Sequence, residues 1–192
     1  APRKYKIRDW PKPTLLYYTS IGEGFEKFQT ELIDYIEKNK DIGVIFNPGT
    51  IHMKAGYNHI KEFLEVTNIL IVNLEEAVRL IGEKPLPKMH IDLQKLGPKL
   101  TVITDGKNGA SGFDGENLVK VSAYSDGREV KDKTGAGDSF ASGFVSAIFH
   151  KKTLKEALGW GSINAFAEIT KENAGTGILT KHEMEKLVKK II

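Results

Sequence analysis

The chain has 192 residues, 40% hydrophobic and 28% charged, a balance that supports one cored domain and excludes disordered or collagen-like chains. It contains no Cys, which removes disulfides, thiolate metal sites and Cys nucleophiles, fits a reducing compartment and makes the cytoplasm the expected location. With 28 Lys and Arg against 25 Asp and Glu the net charge is +3 and scattered, and no apolar run reaches the roughly 18 residues of a membrane span, so neither nucleic acid nor membrane is an expected partner.

Pro11 and Pro13, beside Trp10, make residues 1–14 read as an incoming connection rather than the start of a domain. Short apolar and β-branched runs then recur at Leu15–Thr19, Val44–Phe46, Ile69–Val72 and Leu100–Thr104, separated by segments that suit helices. That alternation predicts an α/β fold, a mostly parallel sheet flanked by crossover helices. In the first crossover Phe25, Phe28, Leu32, Ile33 and Ile36 fall at helical spacing, which predicts an amphipathic cover. A weaker pattern predicts a second helix over His52–Glu65. A third spans Leu74–Ile81, closed by Gly82 as C-cap with Pro85 just beyond.

Beyond Thr104 the pattern changes. Gly106, Gly109, Gly112 and Gly115 punctuate short extended pieces that end in the alternating Leu118–Val121, predicting hairpin strands at one sheet edge. A glycine-rich turn opens a helix over Gly135–His150, with Phe140, Phe144, Val145 and Ile148 facing a core, and helices over Leu154–Glu172 and Thr180–Ile192 finish the chain. Lys151 and Lys152, and the tail lysines Lys181, Lys186, Lys189 and Lys190, read as solvated helix faces. The five histidines, His52, His59, His90, His150 and His182, show no zinc-ligand spacing, and Trp10 and Trp160 read as packing anchors.

The strongest chemical signal is Asp132-Lys133-Thr134-Gly135-Ala136-Gly137-Asp138-Ser139-Phe140, which sets small residues at the mouth of a helix. The first N–H groups of a helix have no internal partners and lie at the positive end of its dipole, so Gly135, Ala136 and Gly137 can cradle a phosphoryl group. Asp138, in the first turn beside that anion hole, can take the proton of an attacking hydroxyl. The same residues also allow a plainer account: a tight turn at Gly135 and Gly137, with Asp138 favoured electrostatically at a helix start. No GxxxxGK[ST] or GxGxxG occurs, since Phe140 stands where the third glycine of the latter belongs. Asn47-Pro48-Gly49-Thr50 follows a strand end, where open parallel sheets tend to place ligands, and reads equally as a strand-to-helix turn.

Lys133–Gly143, KTGAGDSFASG, resembles the second signature of the ribokinase-like sugar kinases, the PfkB family, and three more stretches agree in the family's order. Asn73-Leu74-Glu75-Glu76-Ala77 is similar to its NxxE motif, which implies that Asn73 and Glu76 help organise magnesium and phosphate; alone, the pair reads as a helix cap and a first-turn acid. Thr101–Ala110 resembles the family's TxGxxG strand and turn, which implies that Thr104, Gly106 and Gly109 line the nucleotide site, although the family usually carries an apolar or small residue at Asp105. Alone it is a hairpin turn. Asn164-Ala165 and Ala174-Gly175-Thr176-Gly177 resemble the segments around adenine, and Gly175 and Gly177 also suit a helix end.

The resemblance covers nearly all of 15–192 and implies a ribokinase-like nucleotide-binding domain that lacks the family's N-terminal strands and lid. It implies an ATP-dependent kinase using Mg2+, with Asp138 as base and a sugar, sugar phosphate or nucleoside as acceptor. K+ near Asp132–Thr134 is a further implication, despite Lys133 standing where the family has Thr. So is a homodimer, because family members often pair through the lid. The alternative expectation is a non-catalytic nucleotide-binding module that keeps the pocket and lacks acceptor residues.

Overall fold

The computed structural model describes residue 7, residues 11–171 and residues 175–189; the expectations for Trp10, Glu172, Ala174, Lys190 and Ile192 lie outside the described residues. Six strands hydrogen-bond in the order β1 to β6, numbered along the chain: Leu15–Tyr18, Gly43–Phe46, Ile69–Asn73, Leu100–Thr104, Ala110–Phe113 and Leu118–Val121. The chain divides into two compact units, residues 1–102 with 113–116, and residues 103–112 with 117–192.

In the first unit β1 and β2 pair in parallel with Leu15 opposite Gly43 and Tyr18 opposite Phe46, and β2 pairs with β3 in parallel with Ile45 opposite Ile69. Val44, Ile45 and Phe46 are all fully buried, the continuous apolar run expected where helices cover both faces of a parallel strand. Helix α1, Phe25–Lys38, buries Phe25, Gln29, Leu32 and Ile36, while Phe28 and Ile33 are only half-buried. Gln29 enters the stripe because it lies four residues from Phe25 and three from Leu32, and its amide donates to the His59 carbonyl at 2.8 Å.

The helix predicted over His52–Glu65 is two helices, α2 at Thr50–Ala55 and α3 at Tyr57–Glu65. Gly56, with φ +91°, turns the backbone out of helical geometry between them. Helix α4 runs Leu74–Ile81 as predicted and stops at Gly82, φ +77°. Helix α5, Leu86–Gln94, has no counterpart among the sequence expectations. Its two prolines mask it: Pro85 is the N-cap and Pro87 lies in the first turn, where a missing N–H costs no helical bond. It buries Met89, His90 and Leu93, and His90 Nδ1 lies 2.7 Å from Thr101 Oγ1.

The second unit carries the hairpin strands, with β6 at the end of the strand order, as the glycine punctuation predicts. Helix α6, Ala136–Phe149, and helix α7, Leu154–Ile169, pack through glycines. A methyl added at Gly143 would lie 2.7 Å from the Trp160 carbonyl, and one at Gly161 would lie 2.8 Å from the Phe140 ring. Such approach explains why α7 is buried on nearly every side from Ala157 to Glu168. Thr153 and Glu156 close a reciprocal cap at the start of α7, and Thr180 and Glu183 do the same for α8, Lys181–Val188.

Candidate active site

The segment entering α6 is fixed before its glycines begin. The N–H groups of Lys131 and Asp132 both donate to the Ile169 carbonyl at the end of α7, at 2.8 and 3.2 Å. The Asp132 carboxylate accepts from the Thr134 N–H at 2.9 Å and the Thr134 hydroxyl at 2.8 Å, and these bonds hold its carboxyl below the usual carboxylate range. Gly135 follows in the left-handed region at φ +78°, a conformation that costs other residues roughly 1–2 kcal/mol.

In the first turn of α6 the Ala136 N–H donates to the Lys133 carbonyl at 3.2 Å, and the Ser139 N–H donates to the Gly135 carbonyl at 2.8 Å. The N–H groups of Gly135, Gly137 and Asp138 have no hydrogen-bond partner among the described residues. Of the three amides expected to bind an anion, Ala136's is therefore engaged in the turn, while Asp138's own amide is open. Gly137 is exposed, its φ is not positive, and nothing lies within 4 Å of the place a Cβ would occupy. The fold does not require glycine there. Asp138 is exposed and its carboxylate has no hydrogen-bond or ion-pair partner among the described residues. Open amide donors, empty space above them and a free carboxylate beside them suit a tetrahedral anion and a proton acceptor.

Elsewhere in the second unit, Thr104 ends β4 and a single 3-10 turn, Gly106–Asn108, follows. Asp105 closes it: its N–H donates to the Gly109 carbonyl at 2.8 Å and its carboxylate accepts from the Asn108 side chain at 2.9 Å. Gly109, at φ +95°, leaves only 2.0 Å between a would-be Cβ and the Val121 carbonyl, whereas Gly106, at φ +48°, faces open space. Asn164, 1% exposed, donates to the Ser139 carbonyl at 2.8 Å and accepts from the Leu179 N–H at 3.1 Å. Its amide is spent tying α7 to the first turn of α6 and to the segment after Gly175. Gly175, φ +82°, donates its N–H to Glu168.

Glu168 itself escaped the sequence reading. It is 3% exposed, and its second oxygen accepts from the Gly177 N–H at 3.0 Å. The signal was present as a lone acid in the otherwise apolar run Ala165–Ile169, with two glycines close downstream.

Asn73 and Glu76 belong to the first unit and form a reciprocal cap on α4. The Asn73 side chain accepts from the Glu76 N–H at 2.8 Å, and the Glu76 carboxylate accepts from the Asn73 N–H at 2.9 Å. Burial pushes the Glu76 carboxyl up. One carboxylate oxygen is used in the cap and the other is left over, a sparse oxygen set that suits Mg2+ only through water or phosphate, the ion's usual mode. Asn47 is committed internally, donating to the Ile71 carbonyl at 2.8 Å and accepting from the Tyr17 hydroxyl at 3.2 Å. No cluster of three or more His, Asp or Glu able to hold a metal exists among the described residues. No helix among them is long and apolar enough to cross a membrane.

The pattern of the pfkB family carbohydrate kinases matches residues 11–181. An ATP-dependent 6-phosphofructokinase of Thermoanaerobacterium thermosaccharolyticum is 33% identical over 135 residues, 68% of this chain and 41% of that protein. A nucleoside kinase of Methanothermobacter thermautotrophicus is 31% identical over 137 residues, 69% of this chain and 41% of its own length. Among solved structures, an Escherichia coli protein assigned as ribokinase II, in complex with ATP and Mg2+, superposes with a TM-score of 0.80 at 17% identity over 92% of this chain and 59% of that one. The matched segment thus spans less than half the length of either relative.

Proposed function

The chain belongs to the pfkB family of carbohydrate kinases, and from that premise we propose that it is the nucleotide-binding and phosphoryl-transferring part of an ATP-dependent kinase. The acceptor is a hydroxyl of a sugar, sugar phosphate or nucleoside. One observation carries this reading: at Gly137 the fold leaves open both the amide and the space above it, beside an unpaired Asp138 carboxylate. A glycine kept only for the turn would be explained by Gly135 alone.

In this reading the Gly137 and Asp138 amides hold oxygens of the transferring phosphoryl group, stabilising charge as it shifts from leaving to attacking oxygen. The Asp138 carboxylate accepts the hydroxyl proton. Bound ATP with Mg2+ supplies the phosphoryl group and neutralises its neighbours. Asn73 and Glu76 are the residues that would hold the ion, through water, and Thr104, Gly106, Gly109 and Gly175 are those that would border the nucleotide. Asn164 supports that border by fixing the backbone around it. Potassium, when bound, would be held by the backbone between Asp132 and Thr134. The homodimer and the cytoplasmic location belong to the same proposal.

Asp138→Asn tests it. Turnover is expected to fall by about 10²–10⁴-fold while nucleotide affinity changes little. Unchanged turnover in the variant removes the base assignment; an unmodified chain that binds ATP without turning over leaves a nucleotide-binding module, and one that binds no ATP defeats both.

A further inference from the structure

The buried carboxylate of Glu168 is unusual for what surrounds it. A carboxylate taken out of water needs strong compensation, commonly from Lys or Arg. Glu168 has no ion-pair partner among the described residues. Its two oxygens are instead satisfied by backbone amides, one oxygen by Gly175 and the other by Gly177, seven and nine residues downstream. Both downstream residues are pinned. A Cβ at Gly177 would lie 2.4 Å from the Ala167 carbonyl, so that backbone passes directly over α7.

The same side chain reaches the start of α6. A Cβ at Gly135 would lie 3.6 Å from Glu168 Oε1 and 3.9 Å from its Cγ. One residue on, the Ile169 carbonyl accepts from Lys131 and Asp132, the two residues that lead into that turn. The last turn of α7 therefore holds the Gly135 turn at two points: Ile169 by its carbonyl on the incoming segment, and Glu168 by its side chain, which lies against Gly135 and binds the Gly175–Gly177 turn.

We propose that Glu168 is a positioning residue of the phosphoryl-transfer site, its carboxylate locking the Gly175–Gly177 turn against the Gly135 turn so that the Gly137 and Asp138 amides keep one orientation. This rests on the function proposed above. The amides of Gly175 and Gly177 absorb the carboxylate's charge, which otherwise would repel the phosphoryl group it helps to seat.

Electrostatics and positioning predict opposite signs, and Glu168→Gln separates them. The Gln side chain has nearly the same shape but presents an NH2 donor to one of the two N–H donors, so one clamp bond is lost. Removing a negative charge near a phosphate would by itself tighten nucleotide binding. Loss of positioning loosens it. The ATP·Mg2+ affinity of the 192-residue chain, by calorimetry, is expected to weaken at least 10-fold in Glu168→Gln. In steady-state kinetics the nucleotide KM is expected to rise while the acceptor KM stays within about twofold. Unchanged or tighter nucleotide binding in a folded Glu168→Gln overturns the proposal. If that variant does not fold, amide chemical shifts of the unmodified chain decide: nucleotide must shift Gly135, Gly175 and Gly177 together, and no shift at Gly175 and Gly177 overturns it. If the unmodified chain binds no ATP, the functional reading fails and this one falls with it. If it binds ATP and Glu168→Gln binds equally well, only the role of Glu168 fails.

Discussion

Asn164, buried in the middle of α7, donates its side-chain amide to the carbonyl of Ser139, the residue that follows Asp138 in the first turn of α6. The bond is 2.8 Å long and crosses 25 residues of sequence, so the turn that presents Asp138 is fixed from below by a neighbouring helix. The other end of the same amide takes the Leu179 N–H.

Asn164→Ala leaves the half-buried Leu179 N–H and the buried Ser139 carbonyl short of their partner. A loss of about 1–3 kcal/mol of stability is expected in chemical denaturation. Asn164→Asp still accepts from Leu179 but cannot donate to Ser139. With its charge buried against that carbonyl and no cationic partner, it should be less stable than Asn164→Ala near neutral pH; equal stability of the native chain and Asn164→Ala would show that the bridge contributes nothing.

The two glycines of the α6 turn are expected to respond in opposite directions. Gly135→Ala must hold an L residue at φ +78° and should destabilise the chain by roughly 1–2 kcal/mol. Gly137→Ala meets no neighbour and exchanges glycine for a better helix former, so its stability should hold or rise, by up to about 1 kcal/mol. Its ATP affinity should fall, because the added methyl fills the space assigned to the phosphoryl group. A stable Gly137→Ala chain that binds ATP normally would contradict that assignment.

Gly106 and Gly109 allow a similar comparison in the turn after β4. Gly109→Ala drives a methyl into the Val121 carbonyl at φ +95°, and a loss above about 3 kcal/mol or outright failure to fold is expected. Gly106→Ala carries only the strain of φ +48° in open space and should stay folded, with a loss near 1 kcal/mol. Circular dichroism melts of the pair decide the matter.

His52 lies fully buried among Tyr18, Phe25 and Phe46, accepting from the Gly49 N–H at 3.2 Å, with its other ring nitrogen 3.0 Å from the Tyr18 hydroxyl. Burial, against an opposing pull from Glu26, lowers its pKa from 6.5 to about 4. The unfolded chain therefore binds a proton between those values that the folded chain does not. The full stability contribution is present above pH 6.5 and declines as the pH falls toward 4, by at most about 3 kcal/mol. Urea midpoints measured across that range should drop with acid, and His52→Gln should flatten the slope even though its stability near neutrality is lower.

Much of this architecture was legible because the residues speak for themselves locally. The runs at Val44–Phe46 and Ile69–Val72 can hardly be anything but buried strands, and Gly82 marks the end of α4 by its φ of +77°. Helix α5 was not legible, since Pro85 and Pro87 punctuate in the same way whether they end a helix or begin one. At the site, the glycine turn and Asp138 stood out through composition. The engagement of the Ala136 amide did not, because it depends on the carbonyl of Lys133 folding back in three dimensions. Glu168 was hidden for a related reason: its partners are backbone amides, and every residue supplies one of those.

Where Gly143 meets the Trp160 carbonyl and Gly161 meets the Phe140 ring, α6 and α7 have no slack between them. Neither helix can slide or roll without driving main chain into ring or carbonyl. They behave as one stiff lever. Any rearrangement that accompanies a catalytic cycle in this half of the molecule must be carried by the connecting stretches at the ends of the two helices, which is where a search for hinges should begin.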